Sequence, residues 1–443
     1  MWVTVTSHQL VITMKITYAF LVFLAVVTAS ANAQVLQGRL VTSAFAWQMH
    51  DTVGVSSSHL YGYQTVQLSL VKGDYTLSTY LQGWNDFSGP VKNNGTIRLY
   101  NLYFNWRNIA DLGELTLGRQ TIFAGAGTGT IDGIKATGRF LENKIKVIGY
   151  AGPLAPPALG AQSTEGIWDN ALYGGQVVVA PVDFAQSSVS YSRKQIQPEA
   201  YSALRRDSLF NPYLVEIRPS ASVEEYLSGD VSAEYDMVYG YLRYDHDLKL
   251  EKMARFQFFT RVKPIERFGV TAEYIQREPR IYYNSIFSAF TYNSLKEYEF
   301  GLEYEVQYVK DLQVFGKYGR VSYEGEKSEQ YTFGANWNHI SASASSISGY
   351  NGTINAGSLN AGYPLMDNML TPTIMLSYGR YKLSRYEKNR VEVLSGALGV
   401  VYRPMTALSV DTQVQMVQNK IYKNDVRLFI RASYFLNERL TWF

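Results

Sequence analysis

Four carboxylates recur along one short stretch, Glu297, Glu299, Glu303 and Glu305, and aromatic or aliphatic residues (Tyr298, Phe300, Leu302, Tyr304, Val306, Tyr308) stand between and beyond them. A strand sends successive side chains to opposite faces, so one face of this stretch is greasy and the other acidic. An acidic row of that kind either attracts cations or pairs with bases on neighbouring strands. Lys317 sits on the matching face of the next run, with Gln313 and opposite Val314 and Tyr318. The same sorting puts Arg255, Gln257 and Arg261 opposite Phe256 and Phe258, and Glu273 on the polar face of Phe268–Tyr274. It puts Asp411 with Ser409, Gln413 and Gln415, and it sets Arg427 and Arg431 opposite Val426, Leu428 and Ile430. These are candidate lining residues of an aqueous interior. Two roles are open to them: a ladder of ion pairs that stiffens a wall, or selection among ions.

Catalytic chemistry is sparse. The five histidines (His8, His50, His59, His246, His339) are scattered, and His50 and His59 flank one loop with no third ligand, so no metal site is expected. His339-Ile-Ser341 has a His-x-Ser spacing that resembles the outer-membrane phospholipase barrel. A nucleophilic serine needs a base in reach and an orienting third group, and 338–341 reads as a turn. Glycine-rich 124–133 lacks a following Lys-Ser/Thr, so it makes no phosphate cradle. The absence of cysteine excludes disulfides, Fe–S ligation and covalent haem. We expect no enzyme and no cofactor. A net charge of +3 leaves no footprint for nucleic acid.

The elements that position these residues are strands. Charged residues make up only 18 % of the chain, and tyrosine is abundant at 35. The alternation recurs roughly every 12 to 20 residues to the end of the chain, the sign of a transmembrane β-barrel with lipid outside and water inside. Six hairpins are legible. His59–Val71 and Tyr75–Asn85 flank Lys72-Gly73-Asp74; Ile134–Phe140 and Ile145–Tyr150 flank 141–144; Ala171–Ala180 and Ala185–Arg193 flank 181–183. Glu251–Val262 pairs with Phe268–Arg277, Leu295–Gln307 with Leu312–Tyr323, and Val391–Tyr402 with Leu408–Gln418. Longer loops are expected at 49–58, 87–95, 152–170, 195–224, 279–294 and 348–353, with 195–224 a candidate folded loop. The runs number 22, and because short apolar runs are over-counted the expectation is an even strand number between 16 and 22. The fold class is therefore all-β, a transmembrane antiparallel up-and-down β-barrel. Tyrosine and tryptophan at run ends (Trp47, Tyr61, Tyr63, Trp106, Tyr323, Trp337, Tyr402) suit interfacial girdles.

Residues 1–33 read as processing sequence: Lys15, an apolar run over 16–27, and Ala31-Asn-Ala33 as a cleavage site. Met14 is then the true start, and cleavage leaves 34–443 as one barrel domain with 40 basic and 38 acidic residues. No later segment reaches 18 consecutive apolar residues, so no α-helix spans a membrane.

Leu115-Thr-Leu-Gly-Arg-Gln120 leads into Ala124-Gly-Ala-Gly-Thr-Gly-Thr-Ile-Asp-Gly133, and this stretch resembles the strand and third loop of Gram-negative porins and alginate-export-type barrels. The resemblance implies an inward-folded loop, with Arg119 at the constriction wall and Asp132 near it. Simple alternation instead puts Arg119 on the face of Leu115 and Leu117; a bulge at Gly118 would re-aim it, and otherwise it lies at the rim. The terminal Phe443 is similar to the aromatic assembly signal of outer-membrane barrels, although Thr441 and Arg439 stand where apolar residues are usual and the clean alternation ends at Leu436. The last seven residues are thus expected to form an offset or bulged strand end.

These readings place the chain in a bacterial outer membrane, exported by a cleavable signal peptide, with outer-membrane lipid and the barrel-assembly machinery as partners and homo-oligomerisation left open. The leading function is a porin-like channel for passive diffusion of small hydrophilic solutes or ions. One alternative is an export pore for an anionic polysaccharide tracked by Arg119, Arg255, Arg261, Arg427 and Arg431. Another is a non-conducting structural or surface-binding barrel whose loops carry the function.

Overall fold

The structure is a computed structural model. It describes residues 34–52, 55–88, 96–157, 159–160, 169–279, 294–350, 352–382, 388–420 and 425–440. The proposed signal peptide, Phe443 and Thr441 lie outside them.

The described residues form 24 strands and no helix. In chain order they are β1 (Gln34–Thr52), β2 (Val55–Lys72), β3 (Tyr75–Asp86), β4 (Thr96–Ile109), β5 (Gly113–Ala124) and β6 (Gly127–Phe140). Next come β7 (Ile145–Pro153), β8 (Ala171–Val182), β9 (Ala185–Ile196), β10 (Tyr201–Arg206), β11 (Pro212–Ile217) and β12 (Ser222–Tyr235). The third quarter comprises β13 (Val238–Asp247), β14 (Lys252–Ile265), β15 (Phe268–Arg277), β16 (Leu295–Glu305), β17 (Leu312–Tyr323) and β18 (Glu326–Trp337). The last six are β19 (Ile340–Gly349), β20 (Gly352–Gly362), β21 (Leu370–Lys382), β22 (Val391–Met405), β23 (Leu408–Gln418) and β24 (Asp425–Leu440).

Twenty-two of these strands make one antiparallel sheet in which each pairs with its neighbour in sequence, β9 pairing with β12. The sheet closes on itself: β1 pairs with β24 from Gln34↔Leu440 to Ala46↔Leu428. Closure leaves no edge strand, so the strands satisfy their ladder amides against neighbours within the sheet, the outer half of β5–β6 excepted. β10 and β11 form a separate hairpin within 195–224, which is the folded loop that its weak alternation indicates.

All six hairpins read from the sequence are present, and their turns lie at one end of the cylinder together with both ends of the sheet. Two of the expected longer loops are replaced by strand. The β1–β2 ladder runs to Thr52↔Val55, and β19–β20 to Gly349↔Gly352. Pairing needs only the backbone, so the ladders continue there without an alternating apolar face. The β1–β24 ladder is likewise regular to Leu440 with no bulge, because Glu438 and Arg439 sit at the turn end and pairing needs only their backbone.

The two faces are chemically distinct. On β16, Tyr298, Phe300, Leu302 and Tyr304 are exposed on the outer face, Phe300 by 46 %. Leu394, Leu398 and Val400 on β22 and Val426, Leu428 and Ile430 on β24 do the same. In a water-soluble protein this much exposed apolar surface would be untenable; as a continuous band around a closed cylinder it is the surface that lipid covers. Trp106, Trp337 and Tyr402 end their outer faces near the turns, as a girdle requires. Trp47, Tyr61 and Tyr63 do not join it. Cross-strand pairing sets Tyr61 opposite Phe45, and Tyr63 opposite Ser43, which in turn faces Arg431. Their rings therefore point inward, as does Tyr323, which shares the parity of Lys317.

Candidate functional site

The lumen wall carries the charged residues singled out above, and most are paired along it. Glu299 Oε1 lies 2.7 Å from Lys317 Nζ, and Glu303 Oε2 lies 2.8 Å from Arg261 Nη2. Arg277 reaches Glu297 at 3.8 Å. Gln257 donates to Glu273 Oε1 at 2.7 Å and accepts from Arg255 Nη2 at 2.5 Å. Glu305 lies exposed at the turn end of β16, and its backbone N–H donates to Arg267 O at 2.9 Å. On β23 and β24, Arg431 Nη2 lies 2.6 Å from Asp411 Oδ2, and Arg427 Nη2 lies 2.7 Å from Asp425 Oδ2. These pairs join the same or nearby strands, so they run along the wall and do not bridge the axis. Apart from the pair to the buried Asp425, these pairs are partly exposed and add little stability, on the order of 0–1 kcal/mol each; their consequence is that the lining holds both signs locally balanced.

One element leaves the wall. The β4–β5 ladder stops at Leu102↔Arg119 and the β6–β7 ladder at Ile134↔Ala151, whereas β5 and β6 stay paired to Ala124↔Gly127. The outer half of this hairpin folds inward like a closing page. Its inner face, with Ile122 and Ile131 fully buried, packs on the inner face of β7 and β8 against Ile148, Tyr150 and Leu172. The tip is moored: Ala126 N–H donates to Ser190 Oγ at 3.1 Å, and Arg243 Nη2 donates to Gly125 O at 3.4 Å. Arg243 is itself held by Asp245, with Nε 2.9 Å from Oδ1. The opposite face of the hairpin looks across the lumen, and Phe123 on it is 81 % exposed.

Two glycines make the departure. Gly118 has φ +115°, and a Cβ there would strike Leu102 O; a Cβ on Gly133 would strike Ala151 O. No bulge occurs at Gly118, since the register 104↔117, 103↔118, 102↔119 is continuous. Arg119 therefore keeps the parity of Leu115 and Leu117 and does not line the lumen, nor does it lie at the rim. The page closes away from it, and residues 154–157 and 159–160 occupy the vacated wall, with Leu99 N–H donating to Leu159 O at 2.8 Å. Arg119, only 4 % exposed, fills the crease. It makes a bidentate pair with Asp132 (2.6 and 2.7 Å) and donates to Leu99 O and Gly160 O at 3.2 and 2.5 Å. The two residues that the porin resemblance puts at the constriction wall act instead as the pin behind it.

No family model and no curated protein matches this chain. Among solved structures, a mutant of the ferric enterobactin receptor PfeA from Pseudomonas aeruginosa superposes with TM-score 0.57 at 11 % identity, over 92 % of this chain and 81 % of that chain. The shared fold is a closed antiparallel β-barrel. The P pilus usher PapC translocation pore gives TM-score 0.48 at 8 % identity, over 91 % of this chain and 99 % of that one. Pseudomonas aeruginosa OpdQ gives 0.40 at 9 % identity, over 91 % and 97 %. At such identities the likeness is one of fold, and what this barrel does has to be argued from its own lumen.

Sequence reasoning missed Arg243, Asp245, His59 and Asp86 on the lumen face of the barrel. Arg243 and Asp245 alternate with the outward Leu242 and Tyr244, so the same period would have found them. His59 Nδ1 lies 2.9 Å from Asp86 Oδ2, between residues on different strands that only the register brings together. The side chain of His50 lies outside the described residues. His339 falls in the turn between β18 and β19, with Ser341 at the start of β19.

Proposed function

We propose that this barrel is a bacterial outer-membrane channel, porin-like in type, through which small hydrophilic solutes diffuse down their gradients. The observation that carries the reading is the pairing of an apolar outer band with a hydrated, charge-balanced lining inside a closed ring of 22 strands. A ring that wide leaves space its wall side chains do not fill. The inward hairpin narrows that space from one side, moored to the wall by its tip. No step in this reading involves catalysis.

Export of an anionic polymer fits the lining less well. Such a pore needs a track of uncompensated positive charge, yet Arg261, Arg427 and Arg431 each pair with a carboxylate, and Arg119 sits behind the hairpin. A sealed barrel also fits less well, because the ion pairs follow the wall. The test is reconstitution of the purified barrel into planar bilayers. Discrete, ohmic conductance steps are expected. A folded barrel that inserts and never conducts would remove the channel reading.

A further inference from the structure

The lumen wall differs by sector. β14 to β17 are rich in charge, and β19 and β20 present Ser341, Ser343, Ser345 and Ser358. The sector from β24 through β1 and β2 to β3 is aromatic. Phe429, Phe45 and Trp47 follow one another at ring-centroid separations of 6.4 and 6.2 Å. Trp47 continues to Tyr61 at 6.1 Å, and Tyr61 to Trp84 and Tyr63 at 5.9 and 6.4 Å. The His59 ring stacks on Tyr61 at 5.8 Å. This is the largest set of linked rings among the described residues. None of them faces lipid and none is buried: all are half-exposed, onto the lumen.

Rings on a membrane protein usually anchor it at the interface or fill a core. These do neither. They are interleaved with charged hydrogen-bonding groups. Asp86 holds His59 at the loop end of the sector. Arg431, paired with Asp411, lies over the Phe429 ring with Cζ 5.7 Å from its centroid. Further toward the turns, Arg39 lies over Phe435 at 5.3 Å and donates to Ser433 Oγ at 3.1 Å. From Trp47 to Arg39 the sector descends eight residues of β1, about 26 Å at the usual strand rise.

A run of tilted aromatic rings flanked by the His59 imidazole and by guanidinium groups matches one class of hydrophilic solute. A pyranose ring has a C–H face that packs on an aromatic ring and an edge of hydroxyls that hydrogen-bond to planar charged groups. Repeated along the wall, the arrangement suits a chain of such rings. We propose that the β24–β1–β2–β3 sector is a binding path for oligosaccharides, entered at the loop end between His59 and Trp47 and left past Arg39. The proposal rests on the channel reading and names the solute class for it.

The test uses the full barrel and two readouts, with maltohexaose, cellohexaose and hexagalacturonate as probes. In planar bilayers, at least one probe is expected to block the current reversibly, with mannitol inert. Trp47→Leu combined with Tyr61→Leu should weaken that block at least tenfold, while Phe315→Ala, which alters a lumen ring outside the path, leaves it unchanged. Independently of conduction, the blocking sugar should shift the tryptophan fluorescence of the detergent-solubilised barrel, and Trp47→Phe with Trp84→Phe should abolish the shift. A barrel that conducts while none of the three sugars blocks or shifts fluorescence overturns the path alone, and so does block that survives the Trp47/Tyr61 variant. A barrel that binds sugar by fluorescence but never conducts keeps the path and removes the channel.

Discussion

Arg119 shows how one side chain can be polar, outward by parity and still well placed. Its guanidinium is spent on Asp132 and two backbone carbonyls, so removing it strands a carboxylate that is largely shielded from water. Breaking a buried pair of this kind costs about 3–5 kcal/mol, and removing both partners costs less. Arg119→Ala is therefore expected to lower unfolding stability in lipid vesicles by about 3 kcal/mol, and Arg119→Ala with Asp132→Ala by clearly less. Equal losses in urea titrations of the two variants would refute the pin. The lipid face makes the converse case. Phe300→Arg places a charge in the apolar band and should cost about 2–4 kcal/mol. Glu299→Gln, one residue away, removes only a half-exposed pair and should cost within about 1 kcal/mol.

At the scale of elements, the β5–β6 hairpin is the part that departs from a plain cylinder. Deleting 121–130 takes away the inward portion and leaves the wall pairings of both strands in place. Single-channel conductance is expected to rise severalfold; an unchanged conductance would mean that the hairpin does not limit the path. The β10–β11 hairpin obeys a different control. The Asn211 N–H, with help from that of Leu209, holds the Asp207 carboxyl below its ordinary range. A depressed folded pKa contributes stability above the unfolded value near pH 4 and loses it as pH falls further. Protection factors for amide exchange in 201–217, which remove the intrinsic pH dependence of exchange, should therefore fall only under acid conditions, and Asp207→Asn should show the lower protection already at neutral pH.

For the whole molecule, the decisive property is which face meets lipid. The chain has no cysteine, so single replacements report cleanly. Glu299→Cys and Ser343→Cys should react with a charged, water-borne thiol reagent in proteoliposomes. Phe300→Cys and Leu398→Cys should be shielded, and the reverse pattern would dismantle the barrel reading. Much of this architecture was legible from period-two alternation, because each strand must sort its own side chains between oil and water wherever its neighbours lie. That local demand is written into β14, β16, β23 and β24, whose faces, hairpins and lining charges can be read one strand at a time. It is silent in β1, where Phe45 and Trp47 on one face and Leu40 and Ala44 on the other are both apolar, so only cross-strand register turned the rings inward. It is silent again at Arg119, whose parity on β5 is plain. Arg119 is buried there because a remote mooring at Ser190 and Arg243 holds the hairpin off the wall, with residues 154–157 and 159–160 behind it. Alternation is a property of one strand against its solvent, whereas closure, register and the folded hairpin are properties of strands against each other.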